Sequence, residues 1–232
     1  MLAIWPAYKS LFRFAQYPIA DTQRDRTFGT AATVRALISS DALNGVSRIG
    51  LGKPGACFIS GVAMARINES VAGGANVLAF LDMIARAEIG PAMMADPLAD
   101  DGYRVLVGSL PGNVWVFTDY DDHPFEKRKA IQYSDGVYSS AAGRYQILVR
   151  YWPHYRDLLG LPDFGPVSQD RYAIHQFKER RALDDIIAGR VESAIRRCSN
   201  IWASMPGAGY KQREHKLATL LGAFEQAGGR IA

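Results

Sequence analysis

Glu88 is the side chain of this sequence best placed to act as a general acid. It ends an apolar helical repeat that includes Ile84 and Ala85, and a Gly90-Pro91 break follows one residue later. A carboxyl group in apolar surroundings keeps its proton to a higher pH, because burial disfavours the charged form. Acid-catalysed cleavage of a glycosidic bond requires such a protonated carboxyl group. The pattern therefore predicts a catalytic acid, although it also suits a solvated glutamate at a helix end.

Aromatic and amide side chains form the second candidate group. Pyranose rings have apolar faces that stack on Tyr and Trp, while their hydroxyls bond to amides. The residues with this chemistry are Tyr145, Gln146, Trp202 and Tyr210, of which the last two belong to a Gly- and Pro-containing segment at 199–210. We expect these four residues to bind a sugar chain. Taken singly, each aromatic ring also suits a hydrophobic core.

Other groupings of reactive side chains are weaker. His175 and Glu179 are spaced four residues apart on a predicted helix, but no third metal ligand accompanies them. Cys198 together with a distant histidine would suit nucleophilic catalysis, although a buried structural thiol is the commoner arrangement. The sequence therefore predicts neither a metal site nor a cofactor.

The elements that must position these residues are mostly helical. Apolar residues recur every three or four positions from Asn76 to Ile89, with Asn76 as the expected N-cap. Two short apolar runs, 103–107 and 114–117, flank a Gly- and Pro-containing turn and predict a small hairpin. After a polar loop, helical periodicity returns in five segments, at 145–159, 168–181, 184–188, 191–202 and 212–227. The predicted fold class is α+β and predominantly helical, with a small β-hairpin or sheet.

Residues 1–71 differ in character from residues 72–232. Prolines interrupt the first segment and sustained periodicity is scarce, so we expect a poorly structured extension before a main domain at 72–232. Met64 begins a run that leads directly into the first convincing helix. We therefore also expect that Met64 is the biological start.

The charge divides at the same place. The chain of 232 residues carries a formal net charge of +4, but residues 72–232 hold 19 Lys and Arg against 19 Asp and Glu. The neutral main domain argues against a nucleic-acid-binding protein, because such a protein needs a basic face. Charges and glycines interrupt every apolar run well before the roughly 18 to 20 residues of a membrane span. The sequence thus favours a globular protein that inserts into no membrane.

From about Asn76 to Gly229 the sequence resembles the phage lambda-type endolysins, glycoside hydrolase family 104. Seven stretches match in order over about two thirds of the chain: 79–83 leading to Glu88, Phe117-Thr118-Asp119-Tyr120-Asp121-Asp122-His123-Pro124, Ala142-Gly143-Arg144-Tyr145-Gln146-Ile147-Leu148, 168–170, 178–180, 194–210 and 214–216. The resemblance implies a lysozyme-like fold and a lytic transglycosylase. It also implies that Glu88 is the catalytic glutamate, and that Tyr145, Gln146 and Tyr210 lie on stretches lining a glycan cleft.

The implied reaction needs no second carboxylate. Glu88 protonates the glycosidic oxygen, and as a carboxylate it then helps the C6 hydroxyl of the same N-acetylmuramic acid attack C1. The product is a 1,6-anhydro sugar. The implied partners are the glycan strands of peptidoglycan and, functionally, a holin that lets a monomeric protein made in the host cytoplasm reach the periplasm.

The residues after Glu88 depart from the family pattern. Family members follow the glutamate with Gly-Thr, whereas this chain continues with Ile89-Gly90-Pro91. Asp96, Asp100 or Asp101 would then be available as a second carboxylate, which gives an ordinary hydrolytic muramidase that uses water. A glycan-binding remnant without turnover is the other alternative.

Overall fold

The computed structural model describes residues 66–209 and 214–232. The expected N-terminal extension lies outside the described residues except for its last six positions, and Met64 and Tyr210 also lie outside them. Within the described ranges, no helix is both long enough and apolar enough to cross a membrane.

The described residues form an α+β arrangement dominated by helices, as the sequence predicts. The helices are α1 (Glu69–Ala72), α2 (Ala75–Glu88), α3 (Pro91–Met94), α4 (Trp152–Leu159), α5 (Pro166–Glu179), α6 (Leu183–Ile187), α7 (Val191–Cys198) and α8 (Leu217–Gln226). The strands are β1 (Ile131–Ser134), β2 (Val137–Ser139), β3 (Ala141–Ala142) and β4 (Ile147–Leu148). Strand β1 pairs antiparallel with β2, and β3 pairs antiparallel with β4.

Helix α2 is the central element of the core. The ring of Phe80 meets Phe177 of α5 edge-on, with 5.1 Å between ring centroids, and it meets Phe224 of α8 at 6.4 Å. All three rings are fully buried. Each such aromatic pair contributes about 1 kcal/mol beyond the area it buries. Packing on two sides fixes the direction of α2 and therefore the place of its last residue, Glu88.

The start of α2 corrects the expected N-cap. Gly74 precedes the helix, and Asn76 lies inside its first turn. The Asn76 side chain instead accepts a hydrogen bond from Arg230 N at 2.8 Å and donates to the carbonyls of Ile187 and Arg230, both at 3.2 Å. Asn76 therefore ties the beginning of α2 to the last residues of the described chain rather than capping its own helix.

The strands lie later in the chain than the sequence pattern predicts. The expected hairpin between 103–107 and 114–117 forms only as the isolated bridge Val105–Val116, with backbone bonds from Leu106 N to Trp115 O at 2.8 Å and from Phe117 N to Arg104 O at 3.1 Å. Leu106 pairs in addition with Ala142 of β3. The Ser109 hydroxyl donates to Leu106 O at 2.7 Å and accepts from Trp115 N at 3.0 Å, so a side chain replaces the next ladder bonds. Strands β1 and β2 form instead where the sequence favoured a polar loop and its flank.

The helix expected at 145–159 begins only at Trp152. Gly143 and Gln146 both have positive φ, at 77° and 47°, which turns the chain sharply between β3 and β4. The buried Gln169 side chain holds this turn: its Oε1 accepts from Arg144 N at 2.9 Å, and its Nε2 donates to Phe164 O at 2.8 Å. A local helical pattern is thereby overridden by contacts with α5.

A buried polar cluster joins distant parts of the chain beneath this turn. The Asp170 carboxylate accepts hydrogen bonds from Tyr103 Oη at 2.9 Å, Tyr145 Oη at 2.5 Å and Ile67 N at 3.0 Å. Its pKa is raised by burial, while these hydrogen bonds act in the opposite direction. Ile67 is itself buried in the core, so the packed part of the structure begins before residue 72.

The substitution Gly143→Ala tests the turn. A Cβ at this position overlaps Gln169 Oε1 and also forces a positive φ on a residue with a side chain. We expect a loss of about 3 kcal/mol or more in the free energy of unfolding, measured by urea denaturation. Gly160→Ala is the matched control, because it has positive φ but no atom within 4 Å of its Cβ, and it should lose only about 1 kcal/mol. Equal losses in the two variants would rule out the role given to Gln169.

Candidate active site

Glu88 occupies the last position of α2, and its side chain is only 7% exposed. The next residue, Ile89, packs in a small apolar cluster with Met93, Ala99 and Val105. Gly90 then takes a positive φ of 81°, which allows the chain to reverse into α3. The residue directly after Glu88 is therefore buried in an apolar cluster.

Two effects set the pKa of Glu88 in opposite directions. Burial is the larger effect and raises the pKa from an ordinary 4.5 to about 7. Ser204 opposes it, because its Oγ donates to Glu88 Oε1 at 2.6 Å and its backbone N–H also donates to the carboxyl group. The group is therefore protonated in a large fraction of molecules near neutral pH, and donors are already in place for the anion left when the proton departs.

Ser204 reaches Glu88 from the segment 199–209 that follows α7. Three contacts anchor this segment. The indole Nε1 of Trp202 donates to Tyr145 O at 3.3 Å, Met205 is fully buried, and the Glu214 carboxylate accepts from the backbone of Gly207 and Gly209. Ser204 is consequently held against the end of α2 by contacts on both of its sides.

Tyr145 and Trp202, expected to bind sugar, lie in the core. Tyr145 is 2% exposed with its hydroxyl on Asp170, and Trp202 is 3% exposed with its ring 5.8 Å from Phe177. Neither ring presents an open face on which a pyranose could stack. A direct substrate contact for either residue stays a prediction, and their visible contacts are those of supports beneath the Ser204 segment.

Gln146 has an unusual position for an amide side chain. It is buried, its backbone has positive φ, and its Nε2 donates to Gly143 O at 2.9 Å. Among the described residues its Oε1 has no hydrogen-bond partner. The same Nε2 lies 3.5 Å from the carbonyl of Val105, which packs against Ile89. A buried acceptor without a donor costs about 1–3 kcal/mol, so a ligand that donates there gains from filling it.

The carboxylates proposed from the sequence as a second catalytic group are engaged elsewhere. Asp101 forms an ion pair of 2.5 Å with buried Arg144, and Asp100 accepts from Tyr120 Oη at 2.5 Å. Asp96 accepts from Leu98 N at 2.9 Å within a tight turn. These contacts fix the segment after α3 and give each carboxylate a structural partner.

The remaining reactive groups show no assembled site. His175 lies 3.4 Å from Glu179, and within the two described ranges no three His, Cys, Asp or Glu side chains converge as metal ligands. Burial raises the pKa of the Cys198 thiol to about 12, so it stays protonated and is a poor nucleophile.

Sequence reasoning did not single out Ser204, Glu214 or His215. Ser204 and Glu88 are 116 residues apart in the chain, so no local spacing relates the two. The available signal was the Gly- and Pro-containing composition of 199–210, which indicates a functional loop but not which residue of it meets the acid.

Glu88→Gln is expected to remove a pH dependence of stability. The folded state holds the Glu88 proton up to about pH 7, whereas the ordinary value is 4.5. Between these values the folded state binds more protons than the unfolded state, so wild-type stability falls as pH rises. Gln cannot ionise, so its stability lacks this pH dependence. The free energy of unfolding of the variant, relative to that of wild type, should therefore rise by an amount on the order of 3 kcal/mol between about pH 4 and about pH 8.5. Urea unfolding across this range measures the difference, and parallel stability curves would contradict the assignment.

The chain is similar to known proteins over most of its described length. A family model described as Endolysin matches residues 78–231. The endolysin of Escherichia phage P2 is 54% identical over 157 residues, covering 66% of this chain and 93% of that protein. The endolysin of Escherichia phage lambda is 49% identical over 153 residues, covering 66% and 91%.

Solved structures identify the fold. Bacteriophage lambda lysozyme complexed with a chitohexasaccharide is 45% identical, with a TM-score of 0.60 over 73% of this chain and 100% of that chain. A second structure of lysozyme from bacteriophage lambda, also 45% identical, gives a TM-score of 0.59 over the same shares. The α+β fold is therefore lysozyme-like, and the chain belongs to the endolysin family of bacteriophages, with the lambda type among its relatives.

Proposed function

We propose that this endolysin is a lytic transglycosylase that cleaves the β-1,4 bond between N-acetylmuramic acid and N-acetylglucosamine in peptidoglycan. The observation that carries the proposal is the Glu88 carboxyl group, which is buried, has a pKa near 7 and is bonded to Ser204. The chitohexasaccharide bound to lambda lysozyme supports a β-1,4-linked glycan as the substrate class.

In the first step Glu88 is the acid. Its proton moves to the glycosidic oxygen, the C1–O bond breaks with its electron pair on that oxygen, and C1 becomes oxocarbenium-like. Glu88 is left as a carboxylate. The hydroxyl and N–H of Ser204 stabilise this anion, because both donate to the same carboxyl group.

In the second step Glu88 is the base. The C6 hydroxyl of the same muramic acid residue attacks C1, and its proton returns to Glu88 as the 1,6-anhydro ring closes. The nucleophile belongs to the bound sugar, so it has a high effective concentration without help from a second carboxylate. This reading fits the contacts of Asp96, Asp100 and Asp101, each of which has a structural partner.

Hydrolysis by water is the alternative reaction. Retaining and inverting enzymes place a second carboxyl group about 5 Å or about 6.5 to 9.5 Å from the first. The Asp101 carboxylate is paired with buried Arg144, whose other ionic partner among the described residues is Asp82. Any movement of Asp101 toward a substrate would weaken this pair, which is costly for a buried cation and favours the internal nucleophile.

Mass spectrometry of the soluble products from purified sacculi tests the reaction and its acid together. Wild type should release anhydro-muropeptides, and Glu88→Gln should reduce their release by at least about 1000-fold, because Gln has no proton to donate. Glu192→Gln is the matched control, since Glu192 is exposed on α7 and pairs with Arg196. Reducing-end muropeptides from wild type would establish hydrolysis. Retention on sacculi without any products would establish a binding remnant.

For glycan binding we propose the exposed ring of Trp115 in addition to the residues predicted from the sequence. Trp115 is 40% exposed, and its ring lies over Gly108, whose Cβ, if present, would be 3.0 Å from it. The preceding residue, Val114, packs against the apolar cluster that contains Ile89. Trp115 is thus next in the chain to a residue that packs on the cluster containing Ile89, and its exposed surface could accept the apolar face of a pyranose.

Trp115→Ala should weaken substrate binding more than chemistry. A lost stacking contact of about 1 kcal/mol predicts a KM about 5-fold higher with kcat within about 2-fold. Steady-state kinetics on soluble uncross-linked glycan strands measure both constants. Trp115→Phe keeps an aromatic face and should recover most of the affinity, whereas an unchanged KM in the Ala variant would exclude Trp115 from the cleft.

The remaining parts of the proposal concern the protein in its host. We propose that the catalytic part corresponds to the domain predicted at 72–232 together with the packed residues that precede it, and that it acts as a monomer. Synthesis in the cytoplasm would require a membrane lesion of the kind that holins make before the enzyme meets peptidoglycan in the periplasm.

A further inference from the structure

We propose that Glu214 and His215 are positioning residues for the catalytic acid, acting through Ser204 and the glycine-containing segment that follows it. The proposal rests on the role of Glu88 given above. Neither residue contacts the Glu88 carboxyl group itself. Together they determine where the two donors of Ser204 lie.

Glu214 holds the segment after Ser204 through a single carboxylate. Its Oε2 accepts from Gly207 N at 2.8 Å, and its Oε1 accepts from Gly209 N at 2.9 Å. Both glycines have positive φ, at 79° and 72°, which turns their N–H groups toward one anion. A segment with two glycines loses much conformational entropy on ordering, and these charge-assisted bonds offset that cost.

His215 connects the same segment to the end of α2. Its backbone N–H donates to Ser204 O at 2.8 Å, and its ring Nε2 lies 3.2 Å from Ala87 O. A carbonyl oxygen only accepts, so Nε2 carries the hydrogen in this contact. Ala87 O is one of the last carbonyls of α2, which have no partner within the helix.

These contacts close a ring of hydrogen bonds around the acid. From Ala87 the covalent chain leads to Glu88, Glu88 accepts from Ser204, Ser204 O accepts from His215 N, and the His215 ring returns to Ala87 O. The ring joins α2, the segment after α7 and the start of the chain leading into α8. Displacement of any member therefore changes the distance between Ser204 and the Glu88 carboxyl group.

The pKa of Glu88 reports the distance between Ser204 and the Glu88 carboxyl group. The causes that set the Glu88 pKa are burial and the two Ser204 bonds. Helix α3 brings no charged residue to this end of α2, and Arg86 of the same turn bonds to Gln226 of α8. The His215 ring is the titratable group that bonds to this helix end from the α8 side. Loosening Ser204 should therefore raise the Glu88 pKa, because a bond that favours the anion is lost.

The test measures Glu88 directly in the full-length Glu214→Ala variant. The protonation midpoint of Glu88 is followed by carbon NMR with labelled glutamate, its signal being assigned by its absence in Glu88→Gln. We expect the midpoint to rise by about 0.5 pH or more, toward its value in Ser204→Ala. We also expect kcat to fall about 10-fold while KM stays within about 2-fold, because an acid out of place slows chemistry more than binding.

Matched variants separate positioning from stability. Glu192→Ala removes an exposed carboxylate bonded to Arg196 and should leave the midpoint and kcat unchanged. His215→Ala should behave like Glu214→Ala, whereas His215→Gln keeps a donor able to reach Ala87 O and should recover most of kcat. An unmoved Glu88 midpoint in Glu214→Ala, or a kcat loss that follows only the unfolded fraction, would overturn the proposal.

Failure of the proposed function gives a different result: Glu88→Gln would keep its turnover while the midpoint still moves in Glu214→Ala.

Discussion

The structure depends on one energetically unfavourable arrangement: the Glu88 carboxyl group is buried away from water at the C-terminal end of α2. Burial disfavours the anion, and the negative end of the α2 dipole adds to this preference for the neutral acid. To keep this pKa, the Glu88 carboxyl group must be shielded from solvent by elements that stay packed around it. The next residue, Ile89, is buried in an apolar cluster, and Ser204 bonds directly to the carboxyl group.

In the proposed reaction the same carboxyl group must also persist as an anion between the two steps. A wholly apolar pocket would hold the proton too firmly, while a solvated site would release it before substrate arrives. Ser204 resolves the conflict because it adds two directed donors without adding water or charge. In the proposed mechanism the residues that carry Ser204 therefore matter to the chemistry as much as Glu88 does, although they lie far from it in sequence.

What the sequence could predict follows from the range of the interactions involved. The bounds of α2 were predicted to within two residues, because its periodicity is a local property and because α5 and α8 pack on the face that this periodicity defines. Strand β3 was not predicted, since Leu106 pairs with Ala142 across a long segment. Strands β1 and β2, in contrast, form a local hairpin around Asp135-Gly136, and the sequence analysis missed this turn signal. Residue type likewise suggested Tyr145 and Trp202 as sugar-binding rings, but the partners that bury them, Asp170 and Phe177, come from α5.

The ring of contacts among residues 87–88, 204 and 214–215 has a consequence for the order in which the protein is made. The acid is synthesised early, but its two donors and the residues that hold them belong to the last part of the chain. The tie between Asn76 and Arg230 adds a contact of the same kind, since it joins the start of α2 to a residue that is synthesised still later. Until residues 204 to 215 have been synthesised, a nascent chain holds Glu88 without the donors of Ser204 and without the residues that position them.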